Sequence, residues 1–147
     1  MSFRRILFAT DLSPASARAF AQAVGIARAN AAELVIAHAY QLPDFFPTDV
    51  CVTGTLYSDL DDKVRGDAEK KLAALVKDAA SQGIGARLLV LTGAPFEAIA
   101  EAARAVKADL IVMGTHGRTG ASRILLGSVA ARVITTAPCP VMTVRAA

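Results

Sequence analysis

Four short runs constrain this chain more than anything else in it: Arg5-Ile-Leu-Phe-Ala-Thr10, Glu33-Leu-Val-Ile-Ala-His-Ala39, Arg87-Leu-Leu-Val-Leu-Thr92 and Asp109-Leu-Ile-Val-Met-Gly114. Each is apolar at successive positions instead of alternate ones. Successive side chains of a strand point to opposite faces, so an unbroken apolar run is a strand covered on both sides. Such strands belong to parallel sheets, whose crossover connections lay helices over each face. A fifth run, Pro140-Val-Met-Thr-Val-Arg145, is β-rich and opens on a proline, which suits an edge strand where a missing N–H does no harm.

The intervening segments carry helical spacing. Ser13-Pro14 sets a capping side chain before a proline at the first helical position, and Ala15 to Ala29 brings Ala19, Phe20, Ala23, Ile26 and Ala27 to one face. Leu60 to Ser81 has an inner stripe of Val64, Ala68, Leu72, Leu75, Val76 and Ala79, and Gly83 is its C-terminal stop. Ala94 to Val106, with Pro95 in its first turn, and Ser128 to Thr136, ended by Ala137-Pro138, complete the set. Gln41 to Ser58 has turn formers and no clear period, and reads as a long surface loop of the kind that is often functional. The order βα-βα-βα-βα-β predicts an α/β fold: a doubly wound, five-stranded parallel sheet with helices on both faces, Rossmann-like, in strand order 3-2-1-4-5. Ligands of such sheets bind beyond the carboxyl ends of the strands, where the winding reverses. With the first strand central, Ala9-Thr10-Asp11 and Met113-Gly114 flank that crevice.

Length and composition bound the rest. The 147 residues suit one domain spanning 1–147. The chain is 54% hydrophobic with a mean hydropathy of +0.43, yet its longest uncharged run, Val133 to Val144, is interrupted by Pro138 and Pro140. A spanning helix needs about 20 consecutive apolar residues. No segment qualifies, and no signal-peptide pattern opens the chain, so a cytoplasmic protein without a membrane partner is expected. Cys51 and Cys139 lie far apart with no CxxC, which indicates neither a disulfide framework nor a zinc site. The net charge of +3 is unevenly spread, with no Lys or Arg between Asn30 and Asp62 and no acid after Asp109. Basic runs interleaved with aromatics are missing, so no nucleic-acid partner is expected.

The chemistry concentrates after the fourth apolar run. Gly114-Thr-His-Gly117 is followed by Arg118 to Leu126 and then by Gly127-Ser128 at the start of the last helix. This reads as a phosphate cradle. Gly114 lets backbone approach a ligand closely, and Gly117 permits a turn with positive φ. Gly127-Ser128 brings unpaired N–H groups and a hydroxyl to a helix N-terminus, where the dipole favours an anion. A side chain at Gly127 would take the phosphate's space and strain any positive φ there. Arg118 and Arg123 add positive charge nearby, although both are equally readable as solvated. The pattern is neither a Walker A loop, since no lysine precedes Ser128, nor GxGxxG, since the glycines run Gly114-x-x-Gly117-x-x-Gly120. The alternative is a glycine-rich strand-to-helix turn with Ser128 as an ordinary cap.

Gly-x-x-Gly, nine residues, then Gly-Ser after an apolar strand resembles the nucleotide-binding signature of the universal stress proteins. The resemblance covers nearly the whole chain. Arg4-Arg-Ile-Leu-Phe-Ala-Thr-Asp-Leu-Ser13 is similar to that family's first strand and acidic turn, and Leu110-Ile-Val-Met-Gly-Thr-His-Gly117 to its fourth strand and loop. Ala137-Pro-Cys-Pro-Val141 is similar to the approach to its last strand. One branch of the family binds ATP or AMP and keeps the glycines, and this chain resembles that branch. The resemblance implies that Asp11 holds the ribose or a magnesium-bound phosphate. It implies that Ala39 offers its backbone to adenine beside Ala9 and Thr10. Met113 and Gly114 would flank the sugar, and Gly117, Gly127, Ser128 and Val129 would hold phosphates with Arg118 beside them. ATP or AMP is the implied cofactor, with magnesium accompanying ATP. A homodimer is also implied, paired antiparallel through Val141 to Val144, an apolar edge that would otherwise expose unpaired backbone.

The function expected is that of an adenine-nucleotide-binding stress-response protein, a sensor or regulatory module. GxSxG and HExxH are absent, so the chain is not read as an enzyme by design, and slow ATP hydrolysis, adenylate transfer and a holdase-like interaction role stand as alternatives. Among single residues, Asp11 is expected to contact ligand because Ser13 holds the better capping position. His116, with no carboxylate nearby in sequence, is expected to face solvent. His38 is expected to be a satisfied histidine within its strand.

Overall fold

The apolar runs form the strands β1 (Arg5–Ala9), β2 (Glu33–Tyr40), β3 (Ala86–Thr92), β4 (Leu110–Gly114) and β5 (Val141–Val144). The helices are α1 (Ala17–Asn30), α2 (Gly54–Ser81), α3 (Pro95–Val106) and α4 (Ser128–Thr136), with a 3-10 turn at Pro14–Ser16. This computed structural model describes residues 2–42, 54–116 and 126–146. All strand pairs are parallel, in the order β3-β2-β1-β4-β5. Phe8 stands opposite Ile36 on one side and Val112 on the other, so β1 is central.

The unbroken apolar runs divide into two cores by simple alternation. Ile6, Phe8, Leu34, Ile36 and Val112 pack under Phe20, Ala23 and Ala27 of α1 and Leu72 and Ala79 of α2. Leu7, Ala9, Val35, Ala37, Ile111 and Met113 pack under Ile99, Ala102 and Ala103 of α3 and Ala130 and Val133 of α4. Alanine at the facing helical positions lets the helices settle close onto bulky strand residues. The connection from β1 to β2 crosses one face and the connection from β4 to β5 the other. The winding therefore reverses between β1 and β4, at the end where Ala9 and Gly114 lie.

Some boundaries differ from expectation for identifiable reasons. The first helical segment begins as the 3-10 turn, and α-helical bonding starts at Ala17. Ser13 makes no side-chain cap there. Helix α2 starts at Gly54, so its opening turns occupy the end of the stretch expected to be loop, while 43–53 lie outside the described residues. Leu56, Tyr57 and Leu60 are 59%, 42% and 45% exposed, so those turns have no buried stripe whose period could announce a helix. Gly83 does stop α2, with φ of +80°. The ends of α1 and α3 reach the left-handed region without glycine, at Ala31 and Lys107.

Candidate functional site

At the reversal point lies a cavity of about 440 Å³. The end of β1 brings Ala9, Thr10 and Asp11 to its wall, and β2 brings Ala39. Met113 and Gly114 come from β4, and Gly127, Ser128 and Val129 from the start of α4. Every described residue that the sequence singled out for the site thus lines one cavity. Gly117 and Arg118 lie outside the described residues, as does Arg123.

The wall has two characters. Ala9, Ala39, Met113, Pro95 and Ile99 make an apolar side, suited to a flat ring. The N-terminus of α4 also borders the cavity, and its first-turn N–H groups have no intrahelical acceptor and its dipole attracts an anion. Sequence reasoning missed Pro95 and Ile99, yet a signal existed. In a parallel α/β sheet every helix begins at the carboxyl end of a strand, so the first turns of α3 share the end that holds the crevice.

Gly127 earns its identity differently from expectation. Its φ of −61° and ψ of 155° are open to any residue, so no positive φ is at stake. A Cβ there would lie 2.8 Å from the carbonyl oxygen of Thr115, too close for any side chain. The Gly127 N–H donates to that same oxygen at 2.7 Å, tying the two ends of the connection together. It is therefore not one of the donors open to a ligand, and that part falls to Ser128 and the residues after it. Ser128 is not the cap of α4; Gly127 holds that position without a side chain. At Gly114 a Cβ would meet only ordinary contacts, at 3.6 Å from the His116 oxygen and 4.0 Å from the Val144 oxygen. Packing within the chain leaves room there.

The turn after β1 is fixed by its own hydroxyls. Asp11 Oδ1 accepts the Ser13 N–H at 2.9 Å and the Ser13 hydroxyl at 2.6 Å, so Ser13 serves the carboxylate and not the helix. Ser16 Oγ donates to the Ser13 carbonyl at 2.8 Å, which leaves the Thr10 hydroxyl to donate to Ser16 at 2.9 Å. Thr10 Oγ1 also accepts the Leu12 N–H at 3.0 Å. Between these bonds Leu12 sits at φ of 65°, a region leucine rarely enters. Asp11 therefore orders the turn and lines the cavity at once. Among the described residues no group of His, Cys, Asp and Glu could hold a metal by itself. One carboxylate suits a magnesium ion that arrives with nucleotide phosphates and keeps other ligands as water.

His116 departs from its expected solvent-facing position. It is half-buried in the cavity wall, with Nδ1 3.0 Å from the Thr115 hydroxyl. Its Nε2 is buried and has no hydrogen-bond partner among the described residues. Sequence could not show this, because the position depends on how the Thr115–Gly127 bond folds the chain back. His38 is satisfied, as expected, through Nδ1 at 2.8 Å from the Thr10 carbonyl. Cys139 is a free thiol away from this cavity, with its pKa raised by burial and by the charge of Asp109. Cys51 lies outside the described residues.

The universal stress protein family model matches residues 2–145. The chain belongs to that family. A universal stress protein of Thermus aquaticus is 39% identical over 146 residues, covering 97% of this chain and 99% of the relative. The structure of universal stress protein UspA from Lactobacillus plantarum superposes with a TM-score of 0.86 at 25% identity and covers 99% of each chain. A universal stress protein crystallised in complex with cAMP has a TM-score of 0.69 at 30% identity and covers both chains completely. Among the described residues, no helix is long and apolar enough to cross a membrane.

Proposed function

We propose that this universal stress protein binds an adenine nucleotide, ATP or AMP, in the cavity between β1 and β4, and acts as a sensor or regulatory module in the cytoplasm. One observation carries the proposal. Five separate chain segments converge so that apolar side chains and a helix N-terminus line one cavity of about 440 Å³. That pairing matches a ligand with a flat base at one end and an anion at the other. The cAMP complex of the 30% identical family member supports the same class of ligand. Asp11 would take the ribose hydroxyls or a magnesium ion on the phosphates, and Ser128 and Val129 the phosphates themselves. Gly117 and Arg118 are proposed phosphate contacts on sequence grounds alone. As proposed, the module is a single domain that regulates by occupancy, with slow ATP hydrolysis as the alternative. Mass spectrometry of small molecules released from the purified protein, followed by calorimetry with ATP, AMP and cAMP, tests it. An adenine nucleotide should be recovered and should rebind. Failure of all three to bind would overturn the assignment.

The protein is further proposed to be a homodimer through Val141 to Val144. Strand β5 is an edge of the sheet, and Met142 is 38% exposed there. Val144 packs against one core and Val141 against the other, so Met142 is the position to alter without disturbing either. Light scattering should give a dimer mass for wild type and a shift toward monomer for Met142→Lys. A monomeric wild type at micromolar concentration would refute the pairing.

A further inference from the structure

The ladder between β1 and β2 stops one step early, where a side chain meets the carbonyl that the next bond would use. Its last paired residues are Ala9 and Ala37, and the Thr10 N–H still donates to the Ala37 carbonyl at 2.9 Å. In a regular parallel ladder the next bond would run from the Ala39 N–H to the Thr10 carbonyl, because the residue between two bonded neighbours of the facing strand donates to one and accepts from the other. That bond does not form. Instead the imidazole of His38 approaches the Thr10 carbonyl, with Nδ1 at 2.8 Å. A carbonyl oxygen only accepts, so Nδ1 must carry the proton in either charge state of the ring. The Ala39 N–H is left out of the ladder, and Ala39 borders the cavity.

We propose that His38 is a positioning residue for base recognition: by taking the Thr10 carbonyl it ends the β1–β2 ladder and reserves the Ala39 backbone N–H for the ligand's base. The proposal rests on the adenine-nucleotide function proposed above and adds a reason for base choice. A fixed N–H donor suits the N1 acceptor of adenine. Guanine carries a proton on N1, so the same edge would set donor against donor. The His38 bond also anchors the strand end from which the Asp11 turn departs, so base edge and carboxylate are located by one contact.

Two variants separate this role from simple packing. In His38→Asn, Nδ2 is attached to Cγ as Nδ1 is in histidine, so the bond to Thr10 can be rebuilt. In His38→Leu it cannot, and the Thr10 carbonyl becomes open to the Ala39 N–H. Calorimetry should show ATP affinity falling about tenfold in His38→Leu and by less than about threefold in His38→Asn, with preference for ATP over GTP reduced only in the former. In nucleotide-free protein, the Ala39 amide should exchange with solvent more slowly in His38→Leu than in wild type. Nitrogen NMR of wild type should find the proton on Nδ1 of His38. Equal ATP affinity and equal Ala39 exchange in wild type and His38→Leu would overturn the proposal. If His38→Leu does not fold, a bare Nδ1 in wild type overturns it alone. A wild type that ignores ATP fails the nucleotide function itself, whereas a wild type that binds ATP no better than His38→Leu fails only the role given to His38.

Discussion

The two ends of this sheet use their polar groups in opposite ways. At the amino ends of the strands, the carboxylate of Glu33 receives Arg5 Nε and Arg87 Nε, each at 2.7 Å. Asp109 Oδ2 accepts the backbone N–H groups of Arg4 and Arg5 at 2.8 and 2.9 Å, and the Arg5 guanidinium also donates to the carbonyl of Val106 at the end of α3. Arg104 reaches the last carbonyl of α4 at 3.0 Å. Helices finish at this end, so carbonyls gather here and arginines answer them. At the carboxyl ends the helices begin, so N–H donors gather around the cavity. A parallel α/β topology thus gathers helix carbonyls at one end, where side chains meet them, and helix N–H groups at the other, where an anion is favoured.

The largest break in that asymmetry should come from Gly127→Val. Its Cβ would fall on the Thr115 oxygen, so the Gly127–Thr115 bond must open and the start of α4 must move. Nucleotide affinity should drop by more than about a hundredfold, on the scale where 1.4 kcal/mol is tenfold. Gly127 belongs to neither core, so circular dichroism and the thermal transition should remain those of a folded protein. Calorimetry on wild type and variant decides. Equal affinity would mean that the tie between Thr115 and Gly127 does not matter to the ligand.

Much of this asymmetry was legible in the sequence, and the parts that were not share a cause. Continuous apolar runs announce the two-sided sheet, and Gly127-Ser128 after a loop announces a helix start. The fold order follows from those signals. The function of Gly127 as a close-approach point could not be read, because it depends on Thr115 returning to within hydrogen-bond distance across the connection. The place of His116 in the cavity wall is hidden from sequence for the same reason. Ser-Pro is a strong local cap signal that points Ser13 to the helix, but the carboxylate of Asp11 takes its hydroxyl instead. Local patterns fix elements, whereas contacts between distant backbone segments fix the roles of single site residues.

A smaller effect, on one side of the cavity only, is expected from Asp11→Ala. Both ATP and AMP carry the ribose, so a carboxylate that contacts only the sugar should cost both nucleotides alike. A carboxylate that also helps hold magnesium on the phosphates should cost ATP more, since it is a hard oxygen ligand. Loss of one charge-assisted hydrogen bond is worth about 1.5–3 kcal/mol, which is about tenfold or more in affinity. The expected result is a larger penalty for ATP with magnesium than for AMP without it. Some of any common loss belongs to the turn, because Ser13 loses its acceptor. Ser13→Ala measures that share. Equal losses for the two nucleotides would reduce Asp11 to a ribose and turn residue.

The smallest effect should come from the opposite end, in Glu33→Gln, and should spare the ligand altogether. The two arginines hold the Glu33 carboxyl below its ordinary value of 4.5, and the backbone N–H groups of Arg4 and Arg5 hold Asp109 below its ordinary 3.8. A depressed folded-state pKa adds stability above the unfolded value and loses it as pH falls through the folded value. Wild type should therefore lose melting temperature in the acid range as both carboxylates protonate. These groups are only partly buried, so solvent screens the gain, and Glu33→Gln should lower the melting temperature at pH 7 by only about 2 °C. That gap should close at acid pH, where Glu33 is neutral in wild type too. ATP affinity at neutral pH should be the same in both proteins, because among the described residues the cavity is lined from the carboxyl ends and not the amino ends. A gap that persists at low pH would show that packing by the Glu33 side chain, and not its charge, joins Arg5 to Arg87. An altered ATP affinity would show that the two ends of the sheet communicate, and the division of labour between them would have to be abandoned.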